Sequence, residues 1–138
     1  MAIEVLSDAF VSINAVDLSD HVESVEIEDT VDLQSANVMG DTGQRRLAGL
    51  RDWSVTITFR QDYASAKVDA TLQPLIGVET AIKVRKSKTS GIGATNPEYQ
   101  GNGMLEGYPA VAGSVGETHN ASVTFRCSDG LALIRATS

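Results

Sequence analysis

The sharpest pattern in the chain runs from Asp52 to Gln61, where Trp53, Val55, Ile57 and Phe59 alternate with Ser54, Thr56, Thr58 and Arg60. A period of two with one apolar face predicts a strand that lays that face on a core. The run from Asn120 to Cys127 follows the same logic, with Ala121, Val123, Phe125 and Cys127 inward and Ser122, Thr124 and Arg126 outward. Nothing flanking the two runs recurs, so their likeness is convergent strand chemistry and not a repeat. Further strands are predicted over Phe10–Ala15, His21–Asp29, Thr80–Lys86, Gly103–Val111 and Leu131–Arg135, each short and rich in β-branched or alternating residues. In the second of these, Glu23, Val25 and Ile27 share one face and Ser24, Glu26 and Glu28 the other, which makes the outer face acidic.

One segment has a different period. Between Tyr63 and Gly77, Val68, Leu72, Leu75 and Ile76 recur at helical spacing, which predicts a single amphipathic helix packed on the sheet. Ala64, Ala66 and Ala70 favour it, Asp62 or Ser65 is placed to cap its start, Pro74 should bend or split its last turn, and Gly77 suits its end. Two stretches read as irregular: Thr30 to Arg51, with Gly40, Gly43 and Gly49, and Ser87 to Asn102, with Gly91, Gly93, Pro97 and Gly101. Loops of that length in a compact domain carry function or order when a partner docks.

Composition narrows the class. A chain of 138 residues, 42% hydrophobic and 21% charged, is expected to form one globular domain over 1–138 and holds no membrane-length apolar run. The segment Met1–Phe10 carries Glu4 and Asp8 and no basic residue, so it is no secretory signal, and maturation in a cytoplasm is expected. A net charge of −7 disfavours a protein that grips nucleic acid through phosphates.

Catalytic and ligand chemistry is sparse. His21 and His119 are the only neutral-pH bases, and neither sits in a recognisable motif. One cysteine, Cys127, and two distant histidines give no zinc spacing, and no calcium loop is present, so neither metal nor cofactor is expected. The glycine pairs Gly40/Gly43 and Gly91/Gly93 lack the lysine and the third glycine that phosphate and dinucleotide loops need. Arg45 and Arg46 form a small basic spot, suited to carboxylates of a neighbouring subunit or to plain solubility.

Taken in order, Leu47 to Asp62 (with Asp52-Trp53-Ser54), Val68-Asp-Ala-Thr-Leu72, Thr95-Asn-Pro-Glu-Tyr99, Gly113-Ser-Val-Gly-Glu117 and the ending Arg135-Ala-Thr-Ser138 resemble siphophage major tail (tail tube) proteins. The resemblance implies a mainly β fold, a sandwich or barrel with one flanking helix and long loops. It also implies a non-enzymatic virion protein, built in the host cytoplasm, whose homohexameric rings stack into a hollow tube. By that analogy the sheets join edge to edge into an inner barrel, the loop after the second strand reaches the next ring, and DNA crosses the lumen unbound during genome ejection. The implied partners are further copies of the chain, the tape measure protein, and tail tip or terminator proteins, with no membrane.

An acidic lumen lets DNA slide, which makes Glu26 and Glu28 the lumen-lining candidates. Met39, Gly40, Asp41, Thr42, Gly43, Arg45 and Arg46 are the inter-ring candidates, and Trp53, Val55, Ile57, Phe59, Val123 and Phe125 the core. The inner tube of a contractile tail or type VI secretion system shares this logic. A monomeric decoration or carbohydrate-binding sandwich is the third reading, and 5% aromatic residues offer it no evident stacking platform.

Overall fold

The computed structural model describes residues 5–65, 67–89 and 91–137. Met1 to Glu4 of the N-terminal segment, Ala66 of the expected helix and Ser138 of the closing motif lie outside the described residues. Strand β1 (Phe10–Ile13) turns through Asn14 and Ala15 into β2 (Val16–Asp17), and both turn residues have positive φ, 51° and 65°. That is the turn whose twist matches a two-residue hairpin. A 3₁₀ turn (Ser19–His21) leads into β3 (Val22–Ser35) and then β4 (Arg46–Arg60). Helix α1 (Val68–Leu72) runs into a second 3₁₀ turn, Gln73–Leu75. Strands β5 (Glu79–Arg85), β6 (Glu98–Leu105), β7 (Asn120–Cys127) and β8 (Ile134–Ala136) complete the chain.

The eight strands form one antiparallel sheet in the order β2-β1-β5-β6-β7-β4-β3, with β8 pairing the start of β6. The two similar strands are neighbours: Val55 stands opposite Phe125 and Ile57 opposite Val123. Val11 and Ile13 of β1, Ile82 and Val84 of β5, and the inward residues of β4 and β7 belong to one buried cluster, joined by Val68, Leu72 and Leu75 of the helical segment. Strands far apart in one sheet share a core only if the sheet curls on itself, as in a sandwich or partly open barrel. Val25 and Ile27 of β3 accordingly line one cleft with Val84 of β5 and Tyr99 of β6. Trp53, Val55, Ile57, Phe59, Val123 and Phe125 are all buried. Each large apolar side chain so buried contributes roughly 1.5–3 kcal/mol.

Four expectations are corrected. The stretch from Thr30 to Arg51 is not an irregular loop: β3 and β4 continue as a paired ribbon to Ser35 opposite Arg46. A β-bulge interrupts it, since two steps along β3 from Val31 to Leu33 match three along β4 from Arg51 to Ala48. Gly49 lies in the bulge, where a Cβ would come within 2.9 Å of the Asp32 carbonyl oxygen.

The helix is much shorter than Tyr63–Gly77. Pro74 sits at the start of the 3₁₀ turn that replaces its last turn, and Gly77, at φ 74°, follows. Neither Asp62 nor Ser65 caps α1, whose N-cap is Lys67 with no side-chain cap; Asp62 instead accepts the Ala64 amide at 2.9 Å.

Strand β6 ends at Leu105 instead of running from Gly103 to Val111, and it takes in the end of the second stretch read as irregular. Its inward positions include Gly101 and Gly103, which leave room for the Trp53 ring and hide the alternation. Finally, Glu23 does not share the face of Val25 and Ile27. A register shift between Val22 and Ser24 leaves it exposed, with a carboxylate oxygen 3.2 Å from the Arg60 guanidinium.

Inside, Glu98 is buried against Arg85, at 2.8 Å, and also accepts from the Gln100 amide. The Arg85 guanidinium lies 4.1 Å from the centre of the Phe10 ring and donates through Nε to the Ser87 carbonyl. A charge pair removed from water holds only when its remaining hydrogen bonds are made, as they are here.

Candidate assembly surfaces

The outward side chains of β3, β4 and β7 stand in register. Ser24, Thr58 and Ser122 form one cross-strand row, Glu26, Thr56 and Thr124 the next, and Glu28, Ser54 and Arg126 a third. Strand alternation explains this: the odd positions of β4 enter the core, so the even ones face water. Thr56 and Thr124 hydroxyls meet at 3.3 Å, and Thr58 donates to Ser122 at 3.4 Å. Arg126 is matched by Glu106 at 3.1 Å. Glu26 and Glu28 are exposed, and among the described residues neither makes an ion pair, so they give this Ser/Thr face unneutralised negative charge.

The second surface is the ribbon beyond the core. It exposes Leu33, Leu47 and Leu50, with Val38 and Met39 at its tip; Met39 is fully exposed. The tip is nonetheless built. Ala36 donates to the Arg45 carbonyl, the Asn37 side chain bonds Gln44, and the Asp41 carboxylate accepts from the Val38 amide and the Arg45 guanidinium, each at 2.8–2.9 Å. Of the inter-ring candidates, Arg45 is thus committed within the tip, while Arg46 makes no ion pair among the described residues. The segment that carries Gly40 and Gly43 is thus a hydrogen-bonded hairpin end.

The ribbon also has open edges. β3 is the last strand of the sheet order, so along its 14 residues no further strand among the described residues covers its outer side. On the other side, β7 stops pairing with β4 at Ser54, which leaves residues 46–52 of β4 without a neighbour there. A two-stranded ribbon with exposed apolar side chains and unpaired edges is marginal in water and a template for another chain.

The two histidines, which sit in no recognisable sequence motif, both lie beside the end of β4. His21 Nε2 lies 2.9 Å from the Asp62 carboxylate, the His119 carbonyl accepts the Gln61 amide, and the His119 ring meets Tyr63 edge-on. Gln61 donates to the Tyr108 hydroxyl, which donates to Asp69 at 2.8 Å. Burial, then the bond to Asp69, pushes the Tyr108 hydroxyl up to about 12. The bonds of this group tie the approach to α1 to the segment after β6. No group of three or more metal-ligating side chains occurs among the described residues.

No protein-family model and no curated protein sequence matches the chain. Solved structures do. A chain in the virion of a native gene transfer agent particle superposes with a TM-score of 0.73 at 14% identity, covering 97% of this chain and 99% of that one. A chain in the tail of an empty gene transfer agent particle, a structure of C6 symmetry, gives 0.72 at 14% identity over the same shares. At that identity the likeness establishes a shared fold along nearly the whole length.

Proposed function

We propose that the protein is a structural tail protein and, within that class, the subunit of a tail tube built from stacked six-membered rings. The observation that carries the reading is the pairing of two surfaces on one sheet: a continuous Ser/Thr/Glu face beside a ribbon with open edges and bare apolar side chains. The first suits a water-filled bore, and the second is a surface that a neighbouring subunit has to cover. Likeness to a chain of a C6-symmetric tail over 97% of this chain's length supports the same reading.

In this arrangement Glu26 and Glu28 face the bore, where their charge repels the DNA backbone and keeps a passing genome from sticking. The tip, residues 36–45, reaches the next ring. Head-to-tail contact between rings does not close on itself, so it generates a filament. Partners at the two ends of the tube, a tape measure within it, and assembly in a host cytoplasm follow from the same role. The binding-module alternative is poorly served, because Tyr63 is the single exposed aromatic side chain among the described residues and its hydroxyl is bonded to the Ala110 carbonyl.

Deletion of residues 36–43 tests the reading. The shortened protein should keep the circular dichroism and melting transition of the parent, because the tip contributes nothing to the buried cluster, yet sediment only as monomer or single rings. Filaments of normal length from the deletion protein would overturn the role given to the tip.

A further inference from the structure

The segment before β1 forms no strand of the sheet beyond an isolated parallel bridge between Asp8 and Ser87, yet it lies over part of it. Leu6 borders the apolar cleft formed by Val25, Ile27, Val84 and Tyr99. Leu6, Ser7, Asp8 and Ala9 line a shallow groove whose other wall is Val22 to Val25, the first stretch of the open-edged strand β3. A third hollow, of about 410 Å³, is lined by Val5, Leu6 and Asp8 together with Lys86, Ser87 and Asn96. A segment bordered by hollows on several sides, with Val5 88% and Leu6 56% exposed, is lightly packed.

Among the described residues, the hydrogen bonds that hold it are concentrated at one residue. The Asp8 carboxylate accepts from the Thr89 hydroxyl at 2.8 Å, the Ser87 hydroxyl at 3.1 Å and the Thr89 amide at 3.4 Å, and the Asp8 carbonyl accepts the Lys88 amide at 2.8 Å. Lys88 in turn reaches Asp17 at 3.2 Å and Asp20 at 3.5 Å, which anchors this loop to β2 and the 3₁₀ turn that follows it. No backbone hydrogen bond joins residues 5–9 to β3 among the described residues. The segment therefore sits beside the β3 edge without satisfying that edge's amide and carbonyl groups, and it can leave by giving up the Asp8 contacts and its isolated bridge to Ser87, with no ladder to β3 to break.

We infer that residues 5–9 are a strap, latched by Asp8 to Ser87 and Thr89, that shields the first part of the β3 edge and the adjoining apolar cleft in the free subunit. Opening the latch bares both together. The proposal rests on the tube reading only for the identity of what the strap keeps out, namely a strand of a second copy. A subunit so guarded stays soluble until contact with a growing end displaces the strap.

Two variants break the latch from opposite sides, Asp8→Ala and Thr89→Val, and hydrogen exchange of the full-length protein at a concentration too low for assembly reads the result. Exchange over residues 22–28 should rise roughly tenfold in each variant, the factor that loss of a charge-assisted hydrogen bond carries. Exchange over β7 should stay as in the parent. Unchanged exchange over residues 22–28 in both variants, or an equal rise over β7, overturns the strap. A shorter lag before light scattering rises in concentrated samples would support it further. Should neither parent nor variants ever polymerise while exchange responds as expected, the strap stands and the tube reading alone falls.

Discussion

The indole of Trp53 fills the space in which a side chain on Gly101 would stand. The same ring crowds Gly103, and its Nε1 donates to the Leu131 carbonyl at 3.3 Å. One side chain thereby joins β4, β6 and the segment between β7 and β8. Two glycines in the middle of a strand weaken it intrinsically, and here the close approach of a buried aromatic ring is what they provide.

Gly101→Ala should therefore destabilise the fold by about 1–3 kcal/mol, the cost of overpacking a filled core, against a small gain in strand propensity. Urea unfolding followed by Trp53 fluorescence measures it. A substitution that leaves the midpoint unchanged would mean that the ring has room to move aside.

Acid should loosen the junction between β4 and α1. The Ala64 amide and the His21 ring hydrogen-bond to the Asp62 carboxylate and hold it below its ordinary 3.8. A carboxyl with a depressed folded value contributes stability that is whole above the unfolded pKa and is lost as pH falls through the folded one. Asp62→Asn should accordingly flatten part of the decline in melting temperature between pH 5 and pH 2, measured by calorimetry. Asp8 and Asp17 are also lowered, so the rest of the decline remains. Identical acid limbs in parent and variant would remove Asp62 from the account.

Charge reversal on the open face separates the bore from the fold. Glu26→Lys with Glu28→Lys alters two exposed side chains and no buried contact, so tubes should still form. DNA should then be retained by the variant tubes at low salt and released as salt rises, the signature of phosphate contacts. Co-sedimentation of duplex DNA with tubes reads this, and equal recovery with parent and variant would place the two glutamates elsewhere than the bore.

How much the sequence disclosed depended on burial. Strands β4 and β7 were legible because Trp53, Val55, Ile57 and Phe59, and Ala121, Val123 and Phe125, enter the core while their neighbours face water. The outer ribbon was not, since neither of its faces is buried: Leu33, Leu47 and Leu50 are exposed, and a bulge at Gly49 breaks the alternation. Strand pairing there rests on backbone bonds that leave no side-chain period.

Of the helical stripe Val68, Leu72, Leu75 and Ile76, the first three pack in the core and Ile76 is exposed, and backbone chemistry at Pro74 limited how far the helix could extend. Of the surfaces, the acidic outer positions Glu26 and Glu28 followed from strand alternation alone. The latch of Asp8 on Thr89 joins residues 81 apart in the chain, and no local pattern announces such a contact.

Electron microscopy of the purified, concentrated protein, with and without isolated tail tips as seeds, tests the central claim most directly. Hollow tubes whose end-on averages carry six-fold symmetry are the predicted result, matching the C6 symmetry of the tail whose chain shares this fold. Protein that remains dispersed as monomers in the presence of those seeds would contradict it.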